Sequence, residues 1–258
     1  MGHLRNTHKT VMSPYNCIEL VLVACNMTTI VREMKLDDID EASLFIRDHF
    51  YGHEPLMQTP GEHPLIYDDP KKREYRLSLV RQGTSLVAVD QSNGGRIVGV
   101  AFAGIMHPSD LEQNWSEVNE RKPKLLIEHI HYFLCNIKKH AQFFEHYDVT
   151  DALYLKTLAV DSTMRRQGIA RRLVVTLMEL GRTRGIPLMV ATCTGAYSTR
   201  LMASLGMECV HSELYADFKD EDGNVVIHPP EPHSEASVMA IKLQEMPSYN
   251  PGLYKTFF

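Results

Sequence analysis

Short apolar runs separated by turn residues predict a chain built from strands and amphipathic helices. The clearest signal is a pair of β-branched runs, residues 85–90 and 96–106, joined through Asn93-Gly94-Gly95. These turn residues favour the positive φ angles of a tight hairpin. Five further runs with the character of strands lie at residues 28–35, 152–160, 186–192, 209–218 and 237–243. The pattern therefore predicts seven strands.

Helical periodicity fills most of the gaps between these strands. The first helix begins after the N-cap oxygens of residues 37–40 and ends by Pro55, which lacks a donor and restricts Glu54. Glu54 is thus predicted at a junction between helix and loop. Further helices are predicted at residues 71–83, 110–149 with a break at Pro123, 165–184 and 195–205. The order β-α-α-β-β-α-β-α-β-α-β-β indicates one layered α/β or α+β domain over residues 27–258, after an N-terminal extension, residues 1–26.

Composition and charge exclude several classes of partner. The chain has 258 residues and a formal net charge of −5, so it lacks the basic surface that nucleic acid or an anionic membrane requires. Its five cysteines include no Cys-x-x-Cys pair, which argues against a disulfide framework or a structural zinc site. The longest apolar run, residues 17–25, is far shorter than the roughly 20 residues of a membrane helix. We therefore expect a soluble, monomeric, cytoplasmic protein that binds small molecules.

The stretch that carries chemistry follows the strand at 152–160 and reads Arg165-Arg166-Gln167-Gly168-Ile169-Ala170. An amphipathic helix comes next. Unpaired N–H groups and the dipole at a helix start attract anions, and Gly168 lets a ligand approach the backbone. The loop is therefore predicted to hold a pyrophosphate, although an ordinary basic helix start explains the same residues equally well when they are taken alone. Neither a Walker A sequence nor a GxGxxG fingerprint is present.

This order of elements resembles the GNAT superfamily of acetyl-CoA-dependent N-acetyltransferases. Its signature, Arg/Gln-x-x-Gly-x-Gly/Ala, is matched by Arg165, Gly168 and Ala170, and the resemblance covers about residues 28–243. The chain looks most like the insect-type arylalkylamine N-acetyltransferases, on three matches: Glu54-Pro55-Leu56, Cys193-Thr194-Gly195-Ala196-Tyr197-Ser198 and Tyr215-Ala216-Asp217-Phe218-Lys219 in the sixth strand. The resemblance implies a GNAT-like fold, with a central mixed seven-stranded sheet splayed between strands 4 and 5 and helices on both faces.

The resemblance also implies roles for the matching residues. An amine of pKa roughly 10 must lose a proton before it attacks, and Glu54 is the expected general base. The oxyanion is expected on strand N–H groups of Leu158, Ala159 and Val160. Acetyl-CoA is the expected acetyl donor. We expect it to be bound by those strand residues, by Ser198, and by the loop residues Arg165, Arg166, Gln167, Gly168, Ile169 and Ala170.

The leaving thiolate needs a hydrogen-bond donor. Met202 stands where many superfamily members carry a tyrosine, whereas the insect-type group offers two hydroxyls, which map onto Thr194 and Ser198. A helix N-cap is an equally good interpretation of Thr194. His53 replaces the aspartate that the family more often has at this position. The amine substrate is expected to contact His53, Glu54, Pro55 and Tyr215.

The substrates that the resemblance implies are small arylalkylamines: dopamine, serotonin, tyramine, octopamine and tryptamine. Direct attack in a ternary complex is expected, because Cys193 is predicted to be a buried strand end. The alternative amine is a polyamine or another non-aryl amine, for which carboxylates are available at Glu62, Asp68, Asp69 and Glu213. A non-catalytic acyl-CoA sensor is the alternative from a different class.

Other constellations are weaker. No metal is expected, because His131 and Cys135 share a helix face but no third or fourth ligand is evident. The rigid loop from His228 to His233 is either a surface turn or a lid on the amine pocket. Acetylation of peptides is disfavoured by the long insertions at residues 56–70 and 219–236, which are able to close over the substrate groove.

Overall fold

The fold is given by a computed structural model, which describes residues 28–61, 70–120 and 122–243. The predicted extension, residues 1–26, lies outside this part of the chain. The predicted strands are all present, as Thr29–Glu33 (β1), Leu86–Asp90 (β2), Arg96–Met106 (β3), Ala152–Val160 (β4), Leu188–Cys193 (β5), Glu208–Leu214 (β6) and Glu235–Lys242 (β7).

The strands form one mixed sheet in the order β1-β2-β3-β4-β5-β7-β6. Neighbouring strands are antiparallel except β4 and β5, which run parallel with residues 152–155 facing residues 188–191. Beyond Leu155, β4 continues to Val160 without a partner residue on β5. The two strands therefore part towards their carboxyl ends, and the predicted splay between strands 4 and 5 is confirmed.

Helices cover both faces of this sheet. In chain order they are Ile39–His49 (α1), Pro70–Arg81 (α2), Pro108–Asn119 (α3), Leu126–His140 (α4), Phe143–Tyr147 (α5), Ile169–Thr183 (α6) and Ala196–Ser204 (α7). Helices α6 and α7 pack on one face, and α1, α2, α4 and α5 pack on the other, because alternate residues of each strand point to opposite sides. In the described ranges, no helix is both long enough and apolar enough to cross a bilayer.

Helix α6 starts later than its pattern predicts. Its buried face repeats every four residues through Ile169, Leu173 and Leu177, as an amphipathic helix requires. The predicted start at Arg165 is wrong, because Gly168 adopts a left-handed conformation with φ 75° and occupies the N-cap. Residues 165–168 are therefore a loop, which leaves their backbone open to a ligand.

Two other segments differ from the prediction. The region 110–149 forms three helices, α3, α4 and α5, with Pro123 in the first connection. Strand β6 ends at Leu214, not at residue 218, because Tyr215–Asp217 turn into a short 3₁₀ helix. The predicted hairpin turn between β2 and β3 is confirmed, with φ of 65° at Gly94 and 80° at Gly95.

Candidate active site

A cavity of about 690 Å³ lies at the splay between β4 and β5. This volume lies within the range of pockets that enclose a small molecule. The structure brings most of the predicted site residues together around it. Those that line the cavity are His53, Glu54, Pro55, Leu158, Ala159, Val160, Arg165, Arg166, Ala170, Thr194 and Ser198.

Glu54 lies between two short 3₁₀ helices, Tyr51–His53 and Pro55–Gln58. Its backbone is extended, as the following proline requires, and its Oε2 accepts a hydrogen bond of 2.9 Å from the Met57 N–H. The residue is only 8% exposed although it lines the cavity. The local sequence therefore fixes one buried carboxylate at the cavity wall.

Three imidazoles also reach the cavity, from His49, His53 and His233. Burial lowers the pKa of His53, and the positive charge of Arg165 lowers it further. Burial also lowers the pKa of His233, whose Nδ1 accepts a hydrogen bond of 3.2 Å from the Ala196 N–H. His53 and His233 are therefore neutral at pH 7, and the proton of His233 lies on Nε2.

Asp161 anchors the loop after β4. Its Oδ1 accepts hydrogen bonds from the Thr163 N–H at 2.8 Å and from the Thr163 hydroxyl at 2.7 Å, and its Oδ2 accepts one from Arg96 at 2.7 Å. Burial favours the neutral acid, but these donors and the nearby His49 outweigh burial and lower the pKa of Asp161 to about 2. The start of the loop is therefore pinned to β3 by a fixed negative charge.

The loop has an unusual backbone. Arg166 has φ 64°, a left-handed conformation that non-glycine residues rarely adopt, and Gly168 follows with φ 75°. A Cβ added to Gly168 would meet no atom within 4 Å, so space next to its backbone is open. Arg165 and Arg166 line the cavity, and the first turn of α6 presents N–H groups without intrahelical partners. These features fit the diphosphate predicted from the sequence.

Three predicted contacts in this loop are not part of the cavity wall. Gln167, Gly168 and Ile169 do not line the cavity among the described residues. Ile169 is 2% exposed and packs into the core, because it begins the apolar face of α6. Its side chain is thus a core residue, and the expected cofactor contact of Ile169 stays a prediction for its backbone N–H group.

Two hydroxyls lie at the start of α7. Ser198 and Thr194 both line the cavity, and the Ser198 hydroxyl donates to the Gly195 carbonyl at 2.9 Å. The alternative that Thr194 caps α7 is wrong, because Gly195 occupies the N-cap. A Cβ at Gly195 would lie 2.6 Å from His233 Nδ1 and 2.9 Å from Pro55 Cγ, so only glycine lets these segments meet.

Tyr215 lies behind the cavity wall. It is 2% exposed, and its hydroxyl donates to the Thr194 carbonyl at 2.6 Å. Burial raises its pKa, and the carboxylate of Glu54 raises it further, so the phenol stays protonated. The predicted contact between Tyr215 and the amine is therefore not supported, since the described cavity wall does not include it.

Cys193 is a buried residue at the end of β5, as predicted. Burial raises the pKa of its thiol to about 12, which outweighs the hydrogen bonds from Ser198 and Thr199 to the thiolate. A protonated thiol is a poor nucleophile. It is also not among the described residues of the cavity wall.

One cluster of potential metal ligands lies away from this cavity. His140 Nδ1 and His211 Nε2 lie 2.9 Å and 3.1 Å from Glu213 Oε1. Both rings hold the carboxylate, which lowers the pKa of Glu213 although burial alone would raise it. Glu213 is therefore engaged by two imidazoles and does not line the cavity. The other carboxylates considered for a polyamine, Glu62, Asp68 and Asp69, lie outside the described residues.

Sequence reasoning missed part of the cavity wall. The residues missed are His49, Phe50, Gln58, Gly195, Tyr197 and Leu201. Leu201 lies three residues after Ser198 on α7, so helical spacing is a signal that identifies it. His233 belongs to the loop 228–233, for which the sequence left a surface turn and a lid as alternatives. The structure places His233 in the cavity wall, with its ring centroid 5.3 Å from that of Tyr197.

Comparison with known proteins finds acetyltransferases, both by a family model and among solved structures. The model of the acetyltransferase (GNAT) family matches residues 58–207. Among solved structures, a Drosophila melanogaster polyamine N-acetyltransferase that forms N-acetylagmatine shares 28% identity at TM-score 0.73, over 83% of this chain and 99% of that one. Arylalkylamine N-acetyltransferase 2 from Aedes aegypti shares 27% at TM-score 0.73, over 84% and 99%. An agmatine N-acetyltransferase shares 27% at TM-score 0.74, over 83% and 99%.

Proposed function

The chain belongs to the acetyltransferase (GNAT) family, whose members take an acetyl group from acetyl-CoA, and we propose that it transfers this group to the primary amine of small arylalkylamines. The observation that carries the proposal is the position of Glu54. Its carboxylate is buried by its own backbone turn, yet it lines the same cavity as Arg165, Arg166 and the splayed end of β4. The proposed base and the residues proposed to bind acetyl-CoA therefore line the same cavity.

The reaction requires two proton movements, for which the cavity wall has candidates. The ammonium of the substrate gives a proton to Glu54, and the amine then attacks the thioester carbonyl. The oxyanion forms beside residues 156–160 of β4, where the backbone groups that do not face β3 are left free by the splay. As the C–S bond breaks, the nitrogen loses the proton that its attack left in excess, and the departing CoA thiolate takes up this proton through the Ser198 hydroxyl, with Thr194 as the second hydroxyl nearby.

The residues of the cavity wall favour an amine substrate with one positive charge and an apolar remainder. Apart from Glu54, none of the described residues of the cavity wall is a carboxylate, whereas Phe50, Tyr197 and Leu201 supply aromatic and aliphatic surface. A polyamine carries several positive charges, and each buried one needs a carboxylate partner. Arg165 and Arg166 add charges that repel such a chain.

A polyamine or agmatine is the second candidate substrate, and similarity supports it. Two of the similar solved structures are named as agmatine or polyamine acetyltransferases, at 27% and 28% identity, against 27% for arylalkylamine N-acetyltransferase 2. Residues 62–69, which follow the Glu54 segment in the sequence and include three acidic residues, are also consistent with it. The choice between aryl and polyamine substrates therefore needs an experiment.

The experiment is a thiol-release assay with acetyl-CoA against dopamine, serotonin, tryptamine, agmatine, spermidine and a peptide amine. We expect turnover of the three aryl amines, with kcat/KM at least about tenfold above that of agmatine and spermidine. Turnover confined to agmatine or spermidine would replace the substrate class and keep the mechanism. No turnover of any amine by protein that binds acetyl-CoA in equilibrium dialysis would instead favour the non-catalytic sensor.

A further inference from the structure

A second cavity, of about 280 Å³, lies between α2, α3, α4 and the β3–β4 pair. We call it the lysine cavity, after Lys138 of α4 and Lys156 of β4, which line it together with Tyr75, Tyr154 and His131. It shares no described lining residue with the first cavity. The reaction proposed above gives these side chains no role.

Lys138 is the most unusual residue of the lysine cavity. It is only 7% exposed, although lysine is almost never buried without a counter-charge. Within the described chain, no carboxylate lies within 4.0 Å of its ammonium group. The ring of Tyr154, whose centroid is 5.6 Å away, is the partner that the structure gives it. A buried ammonium of this kind needs an anion to offset its lost hydration.

Lys156 reaches the same cavity through an irregularity in the sheet. Phe102 of β3 pairs with Thr157 and Ala103 pairs with Leu155, so Lys156 is an extra residue in β4. Such a bulge re-aims a side chain, and bulges are frequent next to functional sites. Its ammonium lies 5.9 Å from the centroid of the Tyr75 ring. Part of the Lys156 side chain reaches solvent, but the surrounding cavity wall desolvates its ammonium group and lowers the pKa of Lys156 to about 8, and the charge of Lys138 contributes to this shift.

The remaining polar groups do not neutralise the two ammonium groups. Asp110 is the one described carboxylate of the wall, and its Oδ2 accepts the N–H of His107 at 2.8 Å. It forms no ion pair within 4.0 Å with either ammonium group, and its single charge offsets at most one of the two. Gln82 accepts the Ile105 N–H at 2.7 Å through Oε1, which leaves its amide nitrogen as a donor. His131 has its pKa lowered by burial and then by the charges of Lys156 and Lys138, so its ring is neutral at pH 7 and leaves the two positive charges as they are.

We propose that the lysine cavity binds a small anion, with a carboxylate or phosphate group held between the ammonium groups of Lys138 and Lys156. A carboxylate and a phosphate each offer charged oxygen acceptors to which ammonium donors bind strongly. The cavity has room for a small metabolite, not for a whole acyl-CoA, which the first cavity suits. This site is separate from acetyl transfer, and binding is measurable without any turnover.

The experiment is isothermal titration calorimetry with inorganic phosphate in one arm and succinate in the other, each at ionic strength matched with NaCl. We expect saturable binding of at least one anion, weakened at least about tenfold by Lys138→Met and by Lys156→Gln, since each removes a charge-assisted hydrogen bond. The anion that binds shows whether the site takes a phosphate or a carboxylate group. Lys156 is accessible to solvent, so Lys156→Gln remains informative if Lys138→Met folds poorly.

Two control variants separate this site from other basic surfaces. Lys139→Gln removes the neighbouring exposed lysine, whose ammonium lies over Trp115, and should leave binding unchanged. Arg165→Ala removes a guanidinium group of the first cavity and should also leave it unchanged. Three results would each overturn the proposal: loss of anion binding in Arg165→Ala, binding as tight as in the wild type in both Lys138→Met and Lys156→Gln, or no saturable binding beyond that in NaCl.

Discussion

The Glu54 carboxylate is buried and accepts a hydrogen bond from its own backbone turn. A substitution that keeps this hydrogen bond therefore tests its role as a base. Glu54→Gln keeps the shape and the acceptor oxygen for the Met57 N–H but cannot take a proton. We expect kcat/KM to fall by roughly 100-fold or more, as loss of a general base typically does, with loss of the acidic limb of the pH profile. Steady-state kinetics between pH 6 and 10 measure both.

A matched control is available close by in the sequence. Asp48→Asn removes an exposed carboxylate that pairs with Arg47 at the end of α1, so its kcat/KM should stay within about twofold of the wild type. Equal kinetics for Glu54→Gln and Asp48→Asn would remove Glu54 from the proposed mechanism.

Lys138 leads to a prediction about stability. Lys138→Met keeps the length of the side chain and removes a buried charge that has no described carboxylate partner, so the free energy of unfolding should rise by about 1 kcal/mol. For a chain of this size that corresponds to roughly 2–4 °C in Tm. Thermal unfolding followed by circular dichroism measures it. A fall in Tm would mean that a partner already stabilises the ammonium group.

At the scale of elements, the loop between β4 and α6 depends on Asp161. Its folded pKa of about 2 lies below the ordinary value of 3.8, so its ionised form stabilises the fold above pH 4, and this stabilisation is lost as the pH falls towards 2. The shift corresponds to about 2 kcal/mol. We therefore expect Asp161→Asn to lower the free energy of unfolding by about this amount at pH 7, and by progressively less below pH 4.

Urea denaturation at pH 7, 5, 4 and 3 measures this difference. Asp40→Asn, which removes an exposed aspartate paired with Arg73, controls for the loss of one negative charge. A difference between wild type and Asp161→Asn that stays constant down to pH 3 would show that the carboxylate does not act through its charge.

Elements bounded by strong local signals could be predicted almost to the residue. Strands β3 and β4 match their predicted ranges, because long apolar runs end at turn residues. The start of α6 was misplaced by four residues, since Arg165 has good helix propensity and the left-handed Gly168 overrides it. Local motifs also identified Glu54 and the arginine loop. They could not predict that Tyr215 lies behind the wall, because that depends on how β6 leaves the sheet.

At the scale of the whole molecule, the first cavity is assembled from distant parts of the chain. One contact point joins Pro55, Gly195 and His233, which are far apart in the sequence. The lysine cavity is similar, because the period of α4 does not reveal that Lys138 faces inward against a bulge in β4. Contacts of this kind arise from the packing of whole elements, which explains why sequence patterns missed them.

The short parallel contact between β4 and β5 has a consequence for biosynthesis. Strands β1–β4 come from one continuous stretch of chain and β5–β7 come from a later one. Within the described sheet, these two groups of strands pair only through residues 152–155 and 188–191. Antiparallel neighbours within each stretch pair without this contact, whereas a parallel pair needs a crossover to close first. We therefore expect the two groups of strands to form one after the other as the chain emerges from the ribosome. Neither group alone contains the cleft between β4 and β5. The first cavity forms when the second group of strands docks on the first.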